Sequence, residues 1–346
     1  MLLYWIIFAI PAIAALSIDG AGRNKRMPLF LFSLFLTIVI GYRDEVGCDW
    51  PNYIEHFQNV VGVSLKESLE KLKDPAHAVV NWLVAEWDGD IYLVNLIYAS
   101  LFVAGLHSFV LKQPKAWLGM AVAIPYMVVM VSMGYSRQSV ALGLFMLAIT
   151  QIQKGSFSKY LFWVFSAALF HKSALLLLPF GLFLSKRGLL FRLMIMVPVL
   201  YGGWEVLLAQ KQEHLWNTYV VQQMESAGAK IRVAMNLVPS LIFFYYRKKW
   251  KRLYPDYPFW LWVSLGSLAS VALVPLATTA VDRVALYFIP IQIVVYSRLP
   301  VLAKSQLPPI TTTSAILLAY GAVLFVWLNF ASHAGCWIPY RNALAE

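Results

Sequence analysis

Of the chain's 346 residues, 60% are hydrophobic and only 13% are charged, and the mean hydropathy is +0.66. A soluble domain of this size does not carry so much apolar surface, which leaves a polytopic membrane protein. The net charge of +11 raises nucleic acid as a partner, but the placement of the basic residues accounts for the charge without it.

Apolar stretches recur near 2–18, 27–42, 90–111, 115–133, 136–153, 158–171, 173–185, 188–208, 231–247, 258–277, 284–300 and 312–331. They predict an all-α fold of about 11–12 transmembrane helices in a single domain over 1–346, several of them short for a bilayer about 30 Å thick. The first stretch has no basic residue before it and no small-residue cleavage site, so it reads as retained. If the Asp19–Arg26 loop is cytoplasmic and the spans alternate, the turns on its side collect most of the 28 lysines and arginines. These are Arg23, Lys25 and Arg26; Lys112 and Lys115; Lys154 and Lys159; Lys186, Arg187 and Arg192; Arg247, Lys248, Lys249, Lys251 and Arg252; and Arg298 and Lys304. Only Asp19 and Asp256 oppose them, so the positive-inside rule orients the chain with both termini outside, and no nucleic acid is needed.

The outer face carries the chemistry. Gly41–Phe57, GYRDEVGCDWPNYIEHF, sets Arg43, Asp44, Glu45, Asp49 and Tyr53 just after the second stretch. Asp49-Trp50-Pro51 predicts a short helix with Asp49 as its N-cap and proline in the first turn, and helical spacing then puts Asp49, Tyr53 and Phe57 on one face. A carboxylate, a phenol and a guanidinium at a membrane surface suit a polar headgroup, although Asp49 as a plain cap and Arg43 as an interfacial anchor explain the same residues. Residues 58–89 make the longest segment outside the membrane, amphipathic over Ser64–Lys73, with a new helix start at Asp74-Pro75. Trp82 and Trp87 there fit an interfacial aromatic belt. Asp88-Gly89-Asp90 has the form of a metal-holding carboxylate pair, but Asp90 equally suits the cap of the next helix, and we assign no metal.

Tyr135-Ser136-Arg137-Gln138 puts one guanidinium at membrane depth, where it is costly without a phosphate, a carboxylate or a water-filled cavity. Phe170-His171-Lys172-Ser173 breaks an apolar run with a histidine able to act as acid or base, or merely to bond a helix end. A second outer loop at about 210–230 reads as a lid hinged near Gly228 and leads into Arg232. Val281-Asp282-Arg283, with Tyr287 one turn on, adds a further charge pair; neighbours on a helix point apart, so separate roles are expected. Cys48 and Cys336 fall on the same side, which leaves a disulfide open. Arg43, Arg137, Arg232 and Arg283 thus share one membrane face with Asp49, His171 and Asp282. Several arginines at one level suit a lipid-linked diphosphate, whose oxygens a guanidinium binds in pairs.

With these motifs in view, the chain resembles the Wzy-type repeat-unit polymerases of bacterial O-antigen and exopolysaccharide synthesis, in particular their EpsG-like branch. The likeness rests on Arg43…Gly47-x-Asp49…Tyr53…Phe57, Arg137-Gln138, Phe170-His171-Lys172-Ser173-Ala174, Gly228-x-Lys230-x-Arg232, Asp282-Arg283…Tyr287 and Pro339-Tyr340. It implies a GT-C-like, all-helical glycosyltransferase of the bacterial inner membrane with its active site facing the periplasm. The donor would be a glycan on undecaprenyl diphosphate and the acceptor a single lipid-linked repeat unit. Asp49 would be the base, with His171 second. Arg137, Arg232 and Arg283 would hold diphosphate, Arg43 would orient Asp49 or bind phosphate, and Gln138, Tyr53, Asp282 and Tyr287 would line the headgroup or sugar. The resemblance implies no cofactor and no metal, and a chain-length-regulating co-polymerase as partner besides membrane lipid. A lipid-linked glycan transporter or flippase is the alternative, and it would want charges along a path through the membrane. A membrane acyltransferase would need a polar donor route from the cytoplasm, and a purely structural subunit has little use for so many ionisable span ends.

Overall fold

The computed structural model describes residues 1–17, 26–152, 154–184, 229–275 and 278–345, with isolated positions between 190 and 201. The Asp19–Lys25 loop, most of the 188–208 stretch and the outer loop from 210 to the expected hinge at Gly228 lie outside these residues. Elsewhere helices stand where the apolar stretches predict them. Two, α1 (Leu2–Ser17) and α2 (Arg26–Gly41), precede a short extended pair of residues, β1 (Arg43–Asp44). Three short helices follow outside the apolar stretches: α3 (Trp50–Gln58), α4 (Leu65–Lys71) and α5 (Pro75–Glu86). Then come α6 (Ile91–Val110), α7 (Ala116–Ala123), α8 (Ser136–Ile152) and α9 (Phe157–Phe170), the last continued by a 3₁₀ helix over Lys172–Leu184. The chain closes with α10 (Ala229–Tyr245), α11 (Arg247–Leu253), α12 (Tyr257–Leu273), α13 (Thr278–Ala285), α14 (Pro290–Leu302), α15 (Pro309–Phe330) and a final strand, β2 (Arg341–Asn342).

This is a helical membrane protein. Three segments, Ile91–Val110, Val281–Leu302 and Pro309–Phe330, are long and apolar enough to cross a membrane on their own, and seven more apolar helices run shorter. A bilayer asks about 20 residues of one straight helix, so length alone does not turn every predicted stretch into a crossing. One short helix is lengthened by distortion: α7 continues as a π-helix over Ile124–Ser132. Pro125 sits in its first turn, and a ring without an N–H is accommodated where the helix widens. The helix that follows, α8, is packed hard against α6. A Cβ on Gly105 would stand 2.0 Å from the carbonyl oxygen of Gly143, so the two backbones touch and α8 has little freedom to slide.

The segment between α2 and α6 obeys local rules. Ser64 and Glu67 form a capping box at the start of α4, each side chain bonding the other's backbone N–H. Asp90 caps α6 by accepting from the Leu93 N–H at 3.0 Å, the plain reading of the Asp88-Gly89-Asp90 motif.

The C-terminal tail is sewn to the first loop. Cys48 and Cys336 form a disulfide across a separation of 288 residues, and β1 pairs antiparallel with β2. Trp337 donates its indole N–H to Val129 O at 2.8 Å, Tyr4 donates to Trp337 O at 2.6 Å, and Arg341 pairs with Glu45. Gly47 makes the close approach possible: its φ is +102°, and a Cβ there would meet Met133 O at 2.3 Å. Replacing both cysteines by serine is expected to cost about 2–5 kcal/mol, because the crosslink removes freedom from the unfolded chain. A melting midpoint lowered in the variant, and lowered equally in wild type by reductant, checks this; an unchanged midpoint would mean that Trp337 and the strand pair hold the tail alone.

At the basic face the structure departs from the loop picture. Arg298, counted in the sequence among the basic residues of a cytoplasmic turn, is 1% exposed and binds both oxygens of Asp256 at 2.8 and 2.6 Å. Its guanidinium also lies 4.1 Å from the Tyr254 ring centroid. The pair ties the start of α12 to α14, and Asp256 cannot neutralise the neighbouring basic residues because Arg298 already does so to it.

Candidate active site

Helix α3 starts at Trp50 as predicted, with Pro51 in its first turn, but Asp49 does not cap it through its side chain. The backbone of Asp49 stands at φ −86°, ψ 2°, not the extended conformation that aims a capping carboxylate at the first free N–H groups. Among the described residues the Asp49 carboxylate therefore makes no hydrogen bond. It is half-buried; burial raises its pKa above the ordinary carboxylate range, against the pull of Arg137 and then Arg283. One turn on, Tyr53 is buried and its hydroxyl accepts the backbone N–H of Arg137 at 3.3 Å. The first turn of α8 is thus docked on α3.

Arg137 has found a carboxylate. Its Nη1 donates to Asp74 Oδ2 at 2.7 Å, and Asp74, at the head of α5, makes no cap bond of its own. Burial raises the Asp74 carboxyl while Arg137 and Lys172 hold it down. Two donors remain: Arg137 Nε and Gln138 Nε2 are buried with no hydrogen-bond partner. Buried donors without partners are rare and costly, and each suits an acceptor-rich ligand; the two stand on consecutive helix positions, and Arg137 is the one whose field reaches Asp49.

His171 follows the last residue of α9, with its Nδ1 2.6 Å from Ser173 Oγ, which lies 3.0 Å from Tyr287 Oη. Burial, then Arg283 and Arg137, push its pKa down to about 4. It is neutral at neutral pH but a weak base, which ranks it behind Asp49. Arg283 is exposed, and its field, like that of Arg137, reaches both Asp49 and His171.

The EpsG family model matches residues 26–342, nearly the whole chain. The chain belongs to the EpsG family. No curated protein and no solved structure matches it. Membership points to a polysaccharide polymerase role, and the matched range contains all the residues of this cluster.

In this EpsG-family chain three expected contacts fall elsewhere. Arg43 is 1% exposed and donates to Met133 O at 3.0 Å, Ile40 O at 2.7 Å, Asn95 Oδ1 at 3.2 Å and Ser136 Oγ at 2.6 Å. None of these bonds goes to Asp49; they fasten the end of α2 to the start of α8. Arg232, on α10, grips Asp282 of α13 with two bonds of 2.5 Å, the fork geometry a phosphate would otherwise take. Asp282 and Arg283 keep separate roles, as consecutive helix positions require. Tyr287 is 1% exposed, and its Oη lies 3.0 Å from Ser173 Oγ, which in turn meets His171.

The sequence reading also missed residues. Asp74 passes for an ordinary helix start, and only its failure to cap α5 betrays the pairing. His77, buried, lies 2.6 Å from Tyr98 Oη through Nδ1 and 3.1 Å from His56 Nδ1 through Nε2, with Asn81 Nδ2 3.0 Å from its Nδ1. His77 and Asn81 stand one turn apart on α5, a spacing visible in the sequence, but nothing in it points to Tyr98 or His56. Among the described residues no group of three His, Cys, Asp or Glu side chains could hold a metal ion.

Proposed function

We propose that the chain is a glycosyltransferase that polymerises undecaprenyl-diphosphate-linked oligosaccharide repeat units into O-antigen or exopolysaccharide at the periplasmic face of the bacterial inner membrane. The observation that carries this reading is the half-buried Asp49 carboxylate within the field of Arg137, whose Nε is buried without a hydrogen-bond partner. Asp49 takes the proton from a hydroxyl of the acceptor's non-reducing sugar. That oxygen attacks the anomeric carbon of the donor glycan, and the bond to undecaprenyl diphosphate breaks, the leaving group keeping the electron pair. Arg137 and Arg283 meet the charge that develops on the diphosphate, and Gln138 supplies a neutral donor. Asp74 holds the Arg137 fork in place, and Tyr53 docks the turn that carries it. A nucleotide or a metal has no step in this scheme, and a GT-C-like arrangement with a chain-length-regulating co-polymerase completes the proposal.

The test is turnover of lipid-linked repeat unit by purified protein in vesicles, read by product size and by sidedness. A ladder of longer glycans supports polymerisation. Movement of the substrate across the bilayer without lengthening overturns it in favour of a lipid-linked glycan transporter.

A further inference from the structure

Helix α10 carries Arg232 near one end and runs into the basic stretch Arg247–Arg252 at the other, about 20 Å away at 1.5 Å per residue. At that far end a cavity of about 410 Å³ opens between α10, α14 and the head of α15. Its walls are apolar, formed by Leu241, Ile242, Leu299, Ala303 and Leu307. A second hollow of about 410 Å³ shares Tyr245 and Tyr246 with it and is walled by Arg247, Lys248, Lys249 and Gln306. The mouth is built, not a loose tail: Tyr246 donates to Gln306 Oε1 at 2.5 Å, and Lys249 donates to Leu302 O and Ser305 Oγ at 3.1 Å. Arg247 and Lys248 are exposed, and among the described residues neither has an acidic partner. The next acid along the chain, Asp256, is held by Arg298.

We infer that this groove binds an anionic glycerophospholipid of the inner leaflet, its acyl chain along Leu241, Leu299 and Leu307 and its phosphate on Arg247 and Lys248. An apolar trough leading into a cationic mouth matches the two halves of such a lipid, and a zwitterionic headgroup would bring its own cation against two more. The site lies apart from the cluster around Arg137 and does not rest on the polymerase reading.

The experiment measures the melting midpoint of the full-length purified protein against added phosphatidylglycerol, phosphatidylcholine with the same chains, and glycerol phosphate. Phosphatidylglycerol should stabilise at clearly lower concentration than phosphatidylcholine. In Arg247→Gln/Lys248→Gln its half-saturating concentration should rise by roughly 30-fold, the loss of two surface charges, while the response to phosphatidylcholine stays put. Leu241→Trp, which fills the trough, should weaken both lipids. Equal responses to the two lipids, or an unaltered phosphatidylglycerol response in the double variant, overturn the inference. Full stabilisation by glycerol phosphate alone would make this a phosphate site, and stabilisation that tracks dimer formation would make it an interface between two copies; either result also overturns it.

Discussion

Arg137→Ala is expected to slow glycan lengthening by roughly 10²–10³-fold, the loss that follows removal of one donor to a developing negative charge. The same change strands Asp74, whose side chain is 9% exposed, without its cation. Breaking a fully buried pair costs about 3–5 kcal/mol, and since the Arg137 side chain keeps 30% of its exposure the loss here should fall below that range. Inactivity of this variant alone would therefore mix two causes. Arg137→Ala/Asp74→Asn separates them: with no charge left unpaired, its melting midpoint should return toward wild type while lengthening stays lost. Arg137→Lys should keep the ion pair yet recover only part of the activity, because an ammonium is a point charge and cannot present a fork. Full activity in the double variant would remove Arg137 from the reaction.

Asp49→Asn should lower turnover by about 10²–10⁴-fold, the usual contribution of a positioned general base. It should do so without loss of stability, since the carboxylate makes no hydrogen bond among the described residues and burial already disfavours its charged form. The pH profile gives a second reading. Only the ionised carboxylate can take the proton, so activity falls as pH drops through the pKa of Asp49. Burial raises that pKa, so the acid limb should stand above the ordinary carboxylate range. A residual activity with the same acid limb in Asp49→Asn would transfer the role to another group, His171 first.

What the chain discloses about itself follows the range of the forces involved. Hydropathy and capping act over neighbouring residues, so the apolar stretches, the new start at Asp74-Pro75 and the Asp90 cap can be read in order. The grouping of Arg137, Asp49 and His171 is legible for the same reason, because each lies near one end of an apolar stretch. Pairing is another matter. Asp74 meets Arg137 across 63 positions and Arg43 meets Ser136 across 93, contacts decided by where the heads of α5 and α8 are brought together and by the glycine contact that seats α8 on α6. Arg43 and Arg137 look alike in the sequence, each a lone guanidinium at the boundary of an apolar stretch. One has become a bolt inside the fold and the other keeps a buried donor unpartnered, a difference that arises only once their neighbours are in place.

The central claim, that a lipid-linked diphosphate is held at the Arg137 pole, is tested most directly by photocrosslinking. The full-length protein would be illuminated with an undecaprenyl diphosphate analogue carrying its photoreactive group beside the diphosphate. Adducts on the 49–53, 74–77, 135–138 and 171–173 segments, reduced by unlabelled lipid-linked repeat unit and lost in Arg137→Ala/Asp74→Asn, are the predicted result. Adducts confined to Tyr245–Lys249 and Gln306 at the opposite face, unchanged in that variant, would contradict it.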